Sequence, residues 1–256
     1  MADLFGEKCL KYDNEMILLN SMYFKGAWKN RFIHGLEKKF TYSSRKSSTK
    51  SSIYMMRMNA EIKYAALNEG ELVELPYKGE SQSMLLFLPN ENFDYSSSSI
   101  SLAFSQALKQ QSFFTRIFTY FNLFSENKYS FDFDRLRFKE FRLYLPAFQI
   151  KSNLQLKPIL QLMGIKTAFE DIADFSQMTG QQKLRISQVL QKSYIKVNAE
   201  GSEAAATSAV MITPFSAIPR SNFDVVFNRP FLFLIRDNRF QLTLFAGIVN
   251  KPEKDF

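Results

Sequence analysis

The sequence holds one cysteine, Cys9, and one histidine, His34, and that scarcity removes several chemistries at once. A lone cysteine forms no internal disulfide, and one cysteine with one histidine cannot assemble a Cys/His zinc site. No metal and no cofactor is expected. Serine or cysteine hydrolases of the common kind need a histidine base, yet His34 stands in NRFIHGLEKKF with no nucleophile motif beside it. The chain is therefore read as a non-enzyme with no catalytic residue, His34 as a surface residue after a strand, and Cys9 as a small buried or terminal one. Long apolar runs are lacking too: stretches such as Met84 to Leu88 and Phe231 to Ile235 fall far short of the roughly 20 residues of a membrane span. No membrane partner is expected. The first residues, MADLFGEKCL, carry Asp3, Glu7 and Lys8 where a secretory signal has an unbroken apolar core, so no export signal is read in the chain as written.

What is present is enough for a folded domain. The 256 residues are 46% hydrophobic, which allows a sizeable core in one large domain or two small ones and excludes disorder for the bulk. The net charge of +8 would suit a polyanion, but the basic residues are scattered, with doublets at Lys38/Lys39 and Arg45/Lys46. A nucleic-acid footprint is absent; a sulfated polysaccharide stays open as a partner against a merely solvated surface.

Glu15 to Trp28, EMILLNSMYFKGAW, is nearly continuous in apolar character and predicts a buried strand in the middle of a sheet. The Ser/Lys-rich stretch from Tyr42 to Ser52 reads as an exposed loop. MMRMNAEIKYAAL, LVELPYKG and SMLLFLP then give a meander of strands punctuated by Gly70, Pro76, Gly79 and Pro89. From Asn90 to Arg142 the phenylalanines follow neither a strand nor a helix period, and the region reads as an insertion, with Asp132 and Asp134 on a solvated strand face. Arg142 to Ile150 resumes strand character, and Asn153 to Ile165 predicts a short helix ended at Gly164. LRISQVLQKSYIKV is strand-like through Val197, and VVFNRPFLFLIRD and FQLTLFAGIVNKP predict two closing strands about a turn at Asp237-Asn238. The class is β-rich α+β.

Glu200 to Asp224, EGSEAAATSAVMITPFSAIPRSNFD, is unlike a core strand or an ordinary connection. Every second position from Ser202 is small, through Ala204, Ala206 and Ser208, so one face of the extended segment carries nothing bulky or charged, while Glu203 points the other way. A segment able to slide into a sheet must bury that face without voids or unpaired charge. A helix is the alternative, since alanine is the best helix former. Against it stand the β-branched Val210, Ile212 and Thr213 followed by Pro214, which would leave the helix short and isolated.

On these residues the chain resembles a serpin, the serine protease inhibitor family, over its length except about 93 to 139. LLNSMYFKGAW resembles the third strand of sheet A, VELPYKG with SMLLFLPNE the sheet B strands, and RLYLPAFQI the sixth strand of sheet A. AEGSEAAATSA resembles the hinge of the reactive loop, and FNRPFLFLIRD with LFAGIVNKP the closing sheet B strands. The resemblance implies an α+β fold of mixed sheets A, B and C with a mobile reactive loop. Residues 1–256 would form a single partial domain, with 93–139 divergent or inserted and 199–224 the hinge and loop.

The activity implied is suicide inhibition: a serine protease cleaves the loop as bait, and the cleaved loop enters sheet A with the protease attached. The hinge maps onto Glu200, Gly201, Ser202, Glu203, Ala204, Ala205, Ala206, Thr207 and Ser208. Counting fourteen residues on from Gly201, as the family does, gives a reactive bond between Phe215 and Ser216, which implies a chymotrypsin-like target. Arg220-Ser221 is the rival bond for a trypsin-like protease. Asn20, Trp28 and Gln191 map onto sheet-opening positions, Gln191 where the family has histidine, and Ala199 replaces a usual hinge acid. A glutamine there is expected to reach Asn20 by a hydrogen bond. The family's N-terminal helices and first two sheet A strands are missing before Met16, read as a shortened or mis-assembled frame. The family implies an extracellular site of action, with the cytoplasm as the alternative. A non-inhibitory relative, only a substrate or binding protein, is the other function carried forward.

Overall fold

The computed structural model describes residues 15–44, 47–91, 135–180, 184–202 and 223–252. In chain order its strands are β1 (Glu15–Tyr23), β2 (Gly26–Ala27), β3 (Ile33–Ser44), β4 (Ser47–Leu67), β5 (Gly70–Pro76) and β6 (Gln82–Pro89). β7 (Arg137–Pro146) and β8 (Phe148–Gln155) come next, then helices α1 (Lys157–Leu162) and α2 (Ser176–Thr179). The chain closes with β9 (Arg185–Val197), β10 (Gly201–Ser202), β11 (Asp224–Val226), β12 (Phe231–Asp237) and β13 (Leu242–Val249). It divides into two compact units, one of Met1–Tyr23 and Ile150–Tyr194, the other of Phe24–Gln149 and Ile195–Phe256.

In the first unit β1 runs parallel to β9, from Glu15 opposite Arg185 to Tyr23 opposite Tyr194, and β8 also pairs with β9. Helix α1 is shorter than the sequence predicts: Asn153 to Gln155 stay extended, because the Leu156 N–H is held by the Val189 carbonyl at 2.7 Å and Pro158 suits only a first turn. Gly164, at φ +98°, closes it, with the Ile165 N–H reaching back to the Leu160 carbonyl at 3.0 Å. Phe169, Ile186 and Val189 form a small core with Met16, Leu156, Leu160, Ala168 and Phe175 against it.

The expectation that Glu15 to Trp28 is one buried central strand does not hold among the described residues: the stretch divides into β1 and β2, and Phe24 and Trp28 are buried while much of β1 is exposed. Among the described residues β1 pairs with β9 alone, and Leu18 and Tyr23 are 42% and 54% exposed. A nearly unbroken apolar run marks a strand suited to cover on both faces. The described residues of this unit do not supply that cover.

The second unit is built on a large sheet in the order β11-β7-β4-β5-β6-β12-β13, with β3 paired to β4. The meander β4-β5-β6 is antiparallel throughout, as the sequence predicts. Ser83 to Pro89 and Phe231 to Ile235 are buried residue after residue, which explains their unbroken apolar character. Phe148, Phe227, Phe231 and Phe233 interlock around this sheet, with ring centroids 5.1 Å apart for Phe227–Phe231 and 5.4 Å for Phe148–Phe233. No described helix is long and apolar enough to cross a membrane.

Four further expectations are corrected here. The Ser/Lys-rich stretch is a paired hairpin, with Tyr42 opposite Thr49 and the fully buried Phe40 opposite Ser51. Its composition reflects an edge, where polar and lysine residues discourage further pairing, and not the lack of a ladder. His34 lies within β3, where the register slips between Ile33 and Leu36, and not after a strand. The block Arg142 to Ile150 is not one strand: β7 pairs with β4 and β11 in the large sheet, while β8 pairs with β9. Pro146 cannot donate to a ladder and marks the break. The closing block likewise splits into β11, parallel to β7, and β12.

The segment read as an insertion has its last residues, Arg137 to Lys139, already in β7, while 92–134, including Asp132 and Asp134, lie outside the described residues, as does Cys9. The β12-β13 turn falls at residues 238–241 and is gathered by Asp237, whose carboxylate accepts the Arg239 N–H at 2.9 Å and the Arg239 guanidinium at 2.8 Å. The bond from the Arg239 side chain, with help from the Arg239 and Phe240 N–H groups, holds this carboxyl below the usual carboxylate range.

Candidate functional site

After Val197 the chain reverses through Asn198, Ala199 and Glu200, and the cause is local. The Asn198 side-chain carbonyl accepts the N–H groups of Glu200 at 3.0 Å and Gly201 at 3.1 Å, and the Asn198 backbone N–H donates to the Gly201 carbonyl at 2.9 Å. Gly201 and Ser202 then lie antiparallel to β2, Gly201 opposite Ala27 and Ser202 opposite Gly26, and Ser202 is antiparallel to Val197 of β9. Gly201 has φ +155°, and a Cβ there would sit 2.1 Å from the Gly26 carbonyl oxygen. Only glycine fits so close an approach. The Trp28 N–H donates to the Glu200 carbonyl at 3.0 Å and the Phe32 N–H to the Ala199 carbonyl at 3.1 Å.

An aromatic platform lies under this turn. Trp28 stacks on Tyr77 with centroids 4.6 Å apart, Phe24 meets Tyr77 edge-on at 5.0 Å, and Phe32 meets Trp28 edge-on at 6.0 Å. The Lys29 N–H to Pro76 carbonyl bond of 3.0 Å and the Lys78 N–H to Ala27 carbonyl bond of 2.8 Å lock the two chain segments together. The aromatic pairs each contribute about 0.5–1.5 kcal/mol beyond their buried area. The Tyr77 hydroxyl meets Ser202 Oγ at 2.8 Å, and Ser202 is fully buried. Burial pushes the Tyr77 phenol well above its ordinary value, against a smaller downward pull from Ser202. Two neutral hydroxyls therefore satisfy each other in an apolar setting.

Of the residues assigned to sheet opening, Trp28 belongs to the second unit and Asn20 and Gln191 to the first. Trp28 gathers with Asn198, Glu200, Ser202 and Tyr77, whereas Asn20 and Gln191 face each other across the β1-β9 ladder. The expected Asn20–Gln191 hydrogen bond is not what the Gln191 amide makes. Its Nε2 donates to Met22 Sδ at 3.3 Å and to Ser193 Oγ at 3.5 Å, the same-face neighbours two residues along each strand. Glu203, Ala204, Ala205, Ala206, Thr207, Ser208, Phe215, Ser216 and Arg220 lie outside the described residues.

At the far end of that segment Phe223 is firmly held. Its carbonyl accepts the Arg142 N–H at 3.0 Å, its ring meets Tyr64 edge-on at 5.3 Å, and Lys139 Nζ stands 3.5 Å over the ring. Asp224 pairs with Arg142 at 2.5 Å. Both ends of residues 203–222 are thus fixed within one unit, at Ser202 and at Phe223. Among the described residues no group of three or more His, Cys, Asp or Glu side chains could hold a metal ion.

Sequence reasoning missed Tyr77 and Asn198. The signals existed: an asparagine can close an Asx-turn on the N–H two residues on, here Glu200, and a glycine follows it, while Tyr77 sits between the strand end at Pro76 and the turn Lys78-Gly79. Neither tells which distant residue will arrive.

The family model described as "Serpin (serine protease inhibitor)" matches residues 1–252. The chain is 32% identical over 254 residues to human Serpin B4, covering 98% of this chain and 60% of that protein. It is 36% identical over 253 residues to Iripin-2 of Ixodes ricinus, covering 97% of this chain and 56% of that protein. A serpin structure from the trematode Schistosoma haematobium superposes with TM-score 0.72 at 25% identity, over 96% of this chain and 59% of that one. Native protease nexin-1 with heparin superposes with TM-score 0.66 at 28% identity, over 92% and 57%. The chain thus spans somewhat less than two thirds of the length of these relatives. The motif order, the mixed sheets and these matches agree, and the chain belongs to the serpin family.

Proposed function

We propose that the protein inhibits a serine protease by loop insertion after cleavage between Phe215 and Ser216. The observation that carries this reading is the antiparallel seat of Gly201 and Ser202 beside the end of β9. It supplies the direction and register of a strand that residues 203 onward would extend, with Ala204, Ala206 and Ser208 on its small face. Extension exchanges one parallel ladder, β1 on β9, for two antiparallel ones, each hydrogen bond worth about 1 kcal/mol net. Cleavage frees the loop for this exchange, and the acyl bond is trapped when insertion outruns deacylation. An aromatic bait residue fits the apolar primary slot of a chymotrypsin-like protease.

Incubation with chymotrypsin tests the reading. The expected result is a complex that survives boiling in detergent, with the new amino terminus at Ser216. Ser202→Arg, which would bury a charge, should convert inhibitor to substrate. Quantitative cleavage with the protease left active overturns inhibition. That result would favour the second reading, a non-inhibitory serpin that is only a substrate or binding protein, which the exposure of Leu18, Leu19 and Tyr23 on β1 supports. Capture of trypsin through Arg220 would move the reactive bond. A sulfated polysaccharide is the proposed accessory partner, on the net charge of +8; salt-sensitive retention on a sulfated resin tests it.

A further inference from the structure

The residues that lead into the segment 203–222 are already paired in a sheet. Ser202 is paired to Val197 and Gly26 and buried before any cut is made in residues 203–222. The backbone reason is the Asn198 turn, but that turn alone would leave Ser202 Oγ in an apolar site without a partner. The Tyr77 hydroxyl supplies the partner at 2.8 Å. Tyr77 cannot move aside freely, since Trp28 covers one face of its ring and Phe24 meets it edge-on.

From this geometry we infer that Tyr77 is a positioning residue: its hydroxyl clasps Ser202 and fixes the seat of the hinge beside Val197 and Gly26 in the uncut protein. With the clasp closed, β10 is a preformed first rung and insertion is propagation of a strand. With it open, the hinge must find its register first, so the loop spends longer as a mere substrate. The clasp favours the seated hinge over an expelled one.

The inference deepens the proposed function, but its primary readout needs no protease. Hydrogen exchange of the amides in residues 198–202, with the fluorescence of Trp28, the single tryptophan, follows the hinge in the intact chain. Tyr77→Phe should raise exchange at Gly201 and Ser202 by about tenfold or more, the effect of leaving one buried hydroxyl unpaired. Ser202→Ala, which leaves the aromatic stack whole, should loosen the hinge in the same direction and stands in if Tyr77→Phe fails to fold. Combining the two removes both hydroxyls and should return exchange to within about threefold of the parent. A merely structural Tyr77 would give no such rescue. Unchanged exchange in both single variants, or a double variant as open as the worse single one, overturns the inference. If the parent captures chymotrypsin, Tyr77→Phe should also raise the number of inhibitor molecules consumed per protease captured, with the rate of first cleavage unchanged. Should the parent capture none, the inhibitory reading fails while the exchange result still decides the clasp.

Discussion

Trp28 donates its indole N–H to the main-chain carbonyl of Asn198 at 3.0 Å, joining residues 170 apart in sequence. The bond ties the segment after β2 to the turn that starts β10. Trp28→Phe keeps an aromatic ring over Tyr77 but leaves that carbonyl unpaired. A loss of about 1–3 kcal/mol in urea unfolding is expected. No change would mean the carbonyl finds another donor.

Gly201 tests how close two backbones come. Gly201→Ala must displace the Gly26 carbonyl, 2.1 Å from the new methyl group, and should cost about 1–3 kcal/mol while releasing β10 from β2. Gly164→Ala is the contrast, since nothing lies within 4 Å of its Cβ and only φ +98° resists the change. About 1 kcal/mol is expected there. Thermal unfolding midpoints of the two variants make the comparison.

The phenylalanine cluster and β1 should respond oppositely. Phe231 is fully buried between Phe148 and Phe227, so Phe231→Ala should lose about 3–5 kcal/mol. Leu18 is 42% exposed, and Leu18→Ser should change stability by less than about 0.5 kcal/mol. A large loss at Leu18 would show that β1 is covered in solution.

Stability should fall at both ends of the pH scale, for different groups. The Tyr77 and Tyr64 phenols are raised chiefly by burial, and at Tyr64 by Glu71 as well. Their contribution is fully present below about pH 10 and is lost as pH rises beyond it toward the folded values. Asp237 is held low, so its contribution is present above about pH 4 and is lost as pH falls through its folded value. Denaturant midpoints across pH check both limbs: Tyr77→Phe should flatten the alkaline one and Asp237→Asn the acid one.

The larger sheet was legible because its strands are buried on both faces or alternate cleanly: Met84 to Leu88 and Phe231 to Ile235 are apolar without interruption for that reason. The same rule misled at β1, where equal apolarity accompanies exposure, since a sequence states what a strand suits and not what covers it. The β3-β4 hairpin was hidden by serines and lysines whose backbone pairs regardless of composition. At the site, Ser202 stood out through small-residue spacing, and Gly201 through the resemblance to the family's hinge. Tyr77 was not, because the bond to Ser202 spans 125 residues and no local pattern encodes a partner so remote.

The clamp on Phe223 carries a consequence for the severed molecule. The described residues beyond the bait, 223–252, carry β11, β12 and β13, and β12 lies between β6 and β13 with its apolar side chains enclosed. A nick at Phe215 would therefore release no tail. The preparation would give two bands on a denaturing gel yet elute from a sizing column as a single particle.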